Sequence, residues 1–195
     1  MTSIRLFVAS ITATCLLASW ETGAARAAVS HFDDGSFETP AVSANATVNV
    51  VAGGTIGPWR VTSGSVDIVR QNYWQAAEGD QSVDLSGWLA GTVAQTFLTV
   101  PGKRYSVAYS LAGNPMAGPV VKSGKVLVNG QNFQDFTFDV TGKTNANMGY
   151  VSRVVTFVAR ETSTTLAFVS TTNSVAGPVI DDVTVCACAP RNCCG

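Results

Sequence analysis

KVLVNGQNFQDFTF, residues 125–138, decides the fold. Two short runs with apolar residues at alternate positions flank Asn129-Gly130. Asn-Gly supplies the positive backbone φ angles of a two-residue hairpin turn, so the stretch reads as two antiparallel strands. Just upstream, RYSVAYSLAG (104–113) repeats the signal. Tyr105, Val107, Tyr109 and Leu111 share one face and Ser106, Ala108 and Ser110 the other, which makes the bulky set core.

The same period of two recurs along the chain. It predicts strands over 46–51, 59–61, 65–69, 81–85, 92–99, 104–112, 125–128, 133–138, 152–158, 164–170 and 178–185, and no apolar stripe of 3.6-residue period is long enough for a helix. Gly and Pro turn signals separate them at Gly53-Gly54, Gly57-Pro58, Pro101-Gly102, Gly113-Asn114-Pro115, Gly118-Pro119 and Gly177-Pro178. Many short strands with such turns predict an all-β chain folded as a jelly-roll β-sandwich.

Composition narrows the function classes. The chain has 195 residues, 12 Lys and Arg against 13 Asp and Glu, and few charged residues in all. That length suits one domain, and without a basic run there is nothing to hold a phosphate backbone, so nucleic acid is not an expected partner. Arg5, the apolar residues 6–18 and Ala25-Arg26-Ala27 have the form of an export signal with its cleavage site. The residues before Cys15 make a poor lipidation site. The expected organisation is a signal peptide over 1–27, a β-sandwich over 28–185 and a cysteine-rich tail over 186–195. No later stretch has the roughly 20 apolar residues of a membrane span. The expected location is secreted, extracellular or cell-surface associated.

The tail CACAPRNCCG carries Cys186, Cys188, Cys193 and Cys194. An even set in an exported chain favours disulfides, with three pairings open. Neighbour-to-neighbour bridges are strained at these spacings, which favours pairing across Pro190. Intermolecular bridges and metal binding are the alternatives. Asn45-Ala46-Thr47 is a glycosylation sequon whose use depends on the host.

Several ordered blocks carry a family resemblance: DGSFETP (34–40), GPWRVTSGSVDIV (57–69), YWQAAEGDQSVDLSG (73–87), GTVAQTF (91–97), VPGKRYSVAYSLAGNP (100–115), NMGY (147–150) and GPVIDDVTV (177–185). Together they resemble the domain of unknown function 642, called in bacteria the choice-of-anchor C domain. The resemblance covers roughly residues 32–185. It implies a sandwich of the galactose-binding-like type used by carbohydrate-binding modules, in an extracellular, wall-associated setting. The implied partners are a polysaccharide or cell-wall glycan and a wall-associated protein; plant relatives are associated with pectin methylesterase.

Asp181 shares strand phase with Val179, Val183 and Val185, so its carboxylate is expected to point inward and to need a partner. Asp182, on the other phase, is expected in solvent. A jelly roll brings its terminal strands together, which makes Glu38 the natural neighbour of Asp181. Resemblance to carbohydrate-binding sandwiches implies a structural calcium ion held by Glu38, Asp181 and backbone oxygens near Ser36, since calcium takes hard oxygen ligands. The alternative is that both acids accept backbone amides.

The segment SVDIVRQNYWQAAEGDQSVDLSGW (65–88) packs aromatics and acids into one loop. Tyr73, Trp74 and Trp88 are candidate stacking platforms for a pyranose ring, with Asp84 on the outward phase between Val83 and Leu85 as a polar partner. The alternative is that the aromatics are packing residues, as expected for Trp59. Catalysis has little to draw on. His31 is the only histidine, so a His-rich zinc site is excluded, and Glu78, Asp80 and Asp84 are the acids available for a glycosidase-type pair. The expectation is a non-catalytic carbohydrate-binding domain, with a structural or adhesive surface protein as the main rival and a glycoside hydrolase as the third.

Overall fold

The computed structural model describes residues 31–43 and 47–188, none of them helical. The export signal, its cleavage site, Cys15, the sequon residues Asn45 and Ala46, Cys193 and Cys194 lie outside the described residues. The described strands are β1 Thr47–Val51, β2 Thr55–Ile56, β3 Trp59–Ser63, β4 Ser65–Arg70, β5 Gln81–Asp84, β6 Thr92–Leu98, β7 Arg104–Gly113, β8 Val121–Val128, β9 Gln131–Asp139, β10 Val151–Val158, β11 Ser163–Ser170 and β12 Pro178–Ala187. They form two antiparallel sheets, β1-β4-β5-β12-β7-β10 and β2-β3-β6-β11-β8-β9, packed as a jelly-roll β-sandwich. The short β2, paired to β3, is the one described strand without an expectation in the sequence.

The periodicity explains the core. Tyr105, Val107, Tyr109 and Leu111 are buried, and Tyr109 meets Phe168 of the opposite sheet edge-on with ring centroids 5.0 Å apart. Ile68, Val83, Ile180 and Leu111 are successive cross-strand partners, a continuous apolar row on the inner face. The β8–β9 hairpin turns at Asn129 and Gly130, with φ of 48° and 76°, the left-handed pair that Asn-Gly tolerates.

The strand phase at Asp181 departs from expectation. A bulge separates Asp181 from Thr184, with Asp182 at φ 50°, so Asp181 pairs Ser110 on the outer face and Val185 pairs Val107 on the inner one. Asp181 is therefore buried, but not between the sheets. It lies on the outer face of the first sheet, where two connections cover it. Residues 71–80, between β4 and β5, are tied to residues 140–150, between β9 and β10, by Gln75 N–H to Asn145 O (2.8 Å), Asn145 Nδ2 to Tyr73 O (3.1 Å) and Met148 N–H to Gln75 Oε1 (3.2 Å).

Candidate functional site

The cover is itself held from below. Asp181 Oδ2 accepts the amides of Ala77 (2.7 Å) and Glu78 (3.0 Å), and its Oδ1 that of Asp182 (2.7 Å). Glu38 Oε1 accepts the amides of Asp80 and Gln81, both at 2.8 Å. Gly79 sits between them at φ +58°, where a Cβ would stand 2.5 Å from Glu38 Oε1. The chain ends do meet here, as Val183 N–H donates to Gly35 O at 2.9 Å. Ser36 belongs to that same turn.

In this arrangement one oxygen of each acid in the expected calcium set of Ser36, Glu38 and Asp181, namely Glu38 Oε1 and Asp181 Oδ2, is taken by two backbone amides. A cation needs converging lone pairs, and Glu38 Oε1 and Asp181 Oδ2 each already face two N–H dipoles of the wrong sign. Among the described residues no three His, Cys, Asp or Glu side chains come together as a metal site. The two acids act as acceptors for the backbone of residues 77–81 instead.

Beside this cover the outer face of the first sheet opens into a cleft of about 340 Å³. Its floor is Asp67, Val69 and Asp84 of β4 and β5, and its rim carries Tyr73, Trp88, Asn114 and Met116 from three connections. The four residues expected at a ligand site, Tyr73, Trp74, Asp84 and Trp88, all border it. They do so in different roles. Trp88 is 71% exposed and Tyr73 42% exposed, so both present ring surface. Trp74 is 2% exposed and donates its indole N–H to Ser82 Oγ at 2.8 Å. It is a packing residue of the cover, not a stacking platform, because the fold of residues 71–80 turns its ring onto the sheet.

Asp84 is on the outward phase as expected but is not in solvent; the loops at this end bury it. Its Oδ1 accepts Ser86 N–H (2.8 Å) and Gly177 N–H (3.0 Å), and Oδ2 accepts Asn114 Nδ2 (2.8 Å). Burial pushes its carboxyl up to about 7 against those three donors. Its role is to tie together the loops that carry Asn114 and Val175. Lys122, fully buried nearby, does the same by donating Nζ to Ala117 O and Ala176 O.

Sequence reasoning missed Asp67, which is the direct cross-strand partner of Asp84 and accepts Asn49 Nδ2 at 2.6 Å. Its alternation in Val66-Asp67-Ile68 carried the signal. Gly87 closes the floor over this pair, where a Cβ would stand 2.1 Å from Asn49 Nδ2 and 2.9 Å from Asp67 Oδ1. Asn114 and Met116 carried no signal beyond a turn. The acids considered for catalysis do not converge in the cleft. Asp80 pairs with Arg70 at 2.9 Å, Glu78 is exposed, and Asp84 is sealed by its donors. His31 lines another, mainly apolar cleft with Phe32, Leu98 and Val100, and the described residues of its lining include no Ser, Cys, Asp or Glu. Cys186 and Cys188 are disulfide-bonded.

A family model described as "Protein of unknown function (DUF642)" matches residues 30–186. The chain belongs to this family. Halomucin of Haloquadratum walsbyi is 33% identical over 159 residues, which are 78% of this chain but only 2% of halomucin. Among solved structures, TmCBM61 in complex with β-1,4-galactotriose superposes with a TM-score of 0.51 at 19% identity, over 82% of this chain and 99% of that one. The CBM22-1 xylan-binding domain of Paenibacillus barcinonensis Xyn10C gives 0.47 at 16% identity, over 72% and 92%. At such identities the likeness is one of fold: this DUF642 domain has the β-sandwich of carbohydrate-binding modules.

Proposed function

We propose that the chain is a secreted, non-catalytic glycan-binding module that takes a polysaccharide segment into the cleft on its first sheet. The observation that carries this is the pair of exposed rings, Tyr73 and Trp88, standing over a floor that holds Asp67, with Asn114 beside them on the rim. Aromatic faces stack on the C–H surface of a pyranose while nearby acceptors take its hydroxyls. The sandwich shared with TmCBM61 supports the reading. In it, residues 1–27 direct export, 28–185 form the module, and 186–195 are a cysteine-rich tail. The Glu38 and Asp181 brace works without calcium. The floor supports binding without turnover, since Asp67 and Asp84 are cross-strand neighbours and Asp84 is enclosed by its donors.

The test is retention of the mature domain on insoluble and gel-embedded polysaccharides, with reducing sugar measured in the supernatant. Retention without sugar release is expected, and Trp88→Ala is expected to weaken it about tenfold or more with an unchanged melting temperature. No retention on any glycan removes the reading. Sugar release by the wild type makes the chain an enzyme instead.

A further inference from the structure

We infer that the cleft selects by charge, admitting uncharged pyranosides and refusing uronates, and that Asp67 sets this selection. The inference rests on the glycan-binding reading above and deepens it. Its basis is the sign of the groups around the cleft. Among the described residues bordering it two are acids, Asp67 and Asp84, and none is Lys, Arg or His. A sugar carboxylate entering such a site loses water and meets no cation in return.

Two basic residues next to the cleft's own residues, Arg70 after Val69 and Lys122 whose charge reaches Asp84, are committed elsewhere. Arg70 donates to Val42 O and to Asp80 Oδ2. Lys122 is buried behind the floor with its Nζ on two backbone carbonyls. Asp84 is enclosed by the N–H groups of Ser86, Gly177 and Asn114, which face its carboxylate away from an entering ligand. Asp67 is left to set the sign. It is half-buried, and its donor among the described residues is Asn49 Nδ2, which leaves acceptor capacity for sugar hydroxyls. A neutral pyranose uses that capacity, whereas a uronate meets the same carboxylate as a like charge. The refusal of uronates is thus built in as repulsion and unmet desolvation, not as a missing contact.

The experiment compares matched pairs at pH 8 by titration calorimetry: polygalacturonan with its carboxyl-reduced form, glucuronoxylan with unsubstituted xylan, and neutral β-1,4-galactan and glucomannan alone. In about 10 mM salt the acidic member of a pair that binds is expected to be at least about tenfold weaker than its neutral partner. The gap is expected to narrow in about 0.5 M salt, where exposed charges are screened, and in Asp67→Asn. The salt series on the wild type carries the test if that variant does not fold. A uronate that binds as tightly as its neutral partner overturns the charge selection and leaves glycan binding standing. No binding to any neutral or acidic glycan removes glycan binding itself. A folded Asp67→Asn variant with the wild-type gap overturns the role of Asp67.

Discussion

Trp74 and Trp88 border the same cleft, yet one is covered and the other open. Truncating them is therefore expected to separate stability from binding. Trp74→Ala removes a buried ring and leaves Ser82 Oγ without its indole donor, a loss of about 3–5 kcal/mol measured by chemical or thermal unfolding. Trp88→Ala is expected to leave unfolding unchanged and to register only in glycan retention. A similar contrast holds for adjacent acids. Asp181→Ala strands the amides of Ala77, Glu78 and Asp182, a cost of about 3 kcal/mol, whereas the exposed Asp182 side chain is expected to cost well under 1 kcal/mol. Equal melting temperatures for the two alanine variants would remove the brace. At this scale the sequence named aromatics that do border the cleft but could not rank them by exposure. Nothing in Tyr73-Trp74 says which ring the loop will turn down, because tertiary cover decides it.

Strands and turns were far more legible. The Asn129-Gly130 turn and the phase of β7 follow from local chemistry and a period of two, and both are found. Phase failed in β12 for a physical reason: counting alternate residues assumes an unbroken pleat, and the bulge at Asp182 resets the count with a left-handed residue that is not glycine. The cover over residues 71–80 was invisible because its contacts run to Glu38, Asn145 and Asp181, far away in sequence. Gly79 gives a test of that cover. Gly79→Ala adds a methyl against Glu38 Oε1 and forces a non-glycine residue to φ +58°, at a cost of about 1–2 kcal/mol from the backbone alone. Faster hydrogen exchange over residues 71–81 and weaker glycan retention through a displaced Tyr73 are expected. Wild-type exchange in that segment would show that Gly79 is not under constraint.

For the molecule as a whole, buried acids set the response to pH. Burial raises Asp84 and Asp181 to about 7 from the ordinary 3.8, and Asp34 and Asp67 move the same way. Raised carboxyl values mean that the folded chain binds protons more readily than the unfolded one. The contribution of Asp84 and Asp181 is thus fully present below about pH 4, is lost as pH rises to about 7, and is flat above. Melting temperatures across that window are expected to show this component as a fall, reduced in Asp84→Asn; a component of opposite sign at Asp84 would mean that its three N–H donors outweigh burial. Chelation, by contrast, is expected to leave the melting curve in place if backbone amides are the partners of the acids, since Glu38 Oε1 and Asp181 Oδ2 each accept two of them. A chelator-dependent drop with calcium found by elemental analysis would restore the metal.

The carboxylates that hold residues 77–81 come from opposite ends of the folded domain, Glu38 before the first strand and Asp181 within the last. During synthesis the loop carrying Tyr73 leaves the ribosome roughly a hundred residues before its second anchor does. A nascent chain stopped just short of β12 then holds every described residue that borders the cleft, Val175 included, but not the support that sets the loop. The support of the cleft arrives last, with the final strand, so a truncated chain carries the residues that border it without the anchor that sets them.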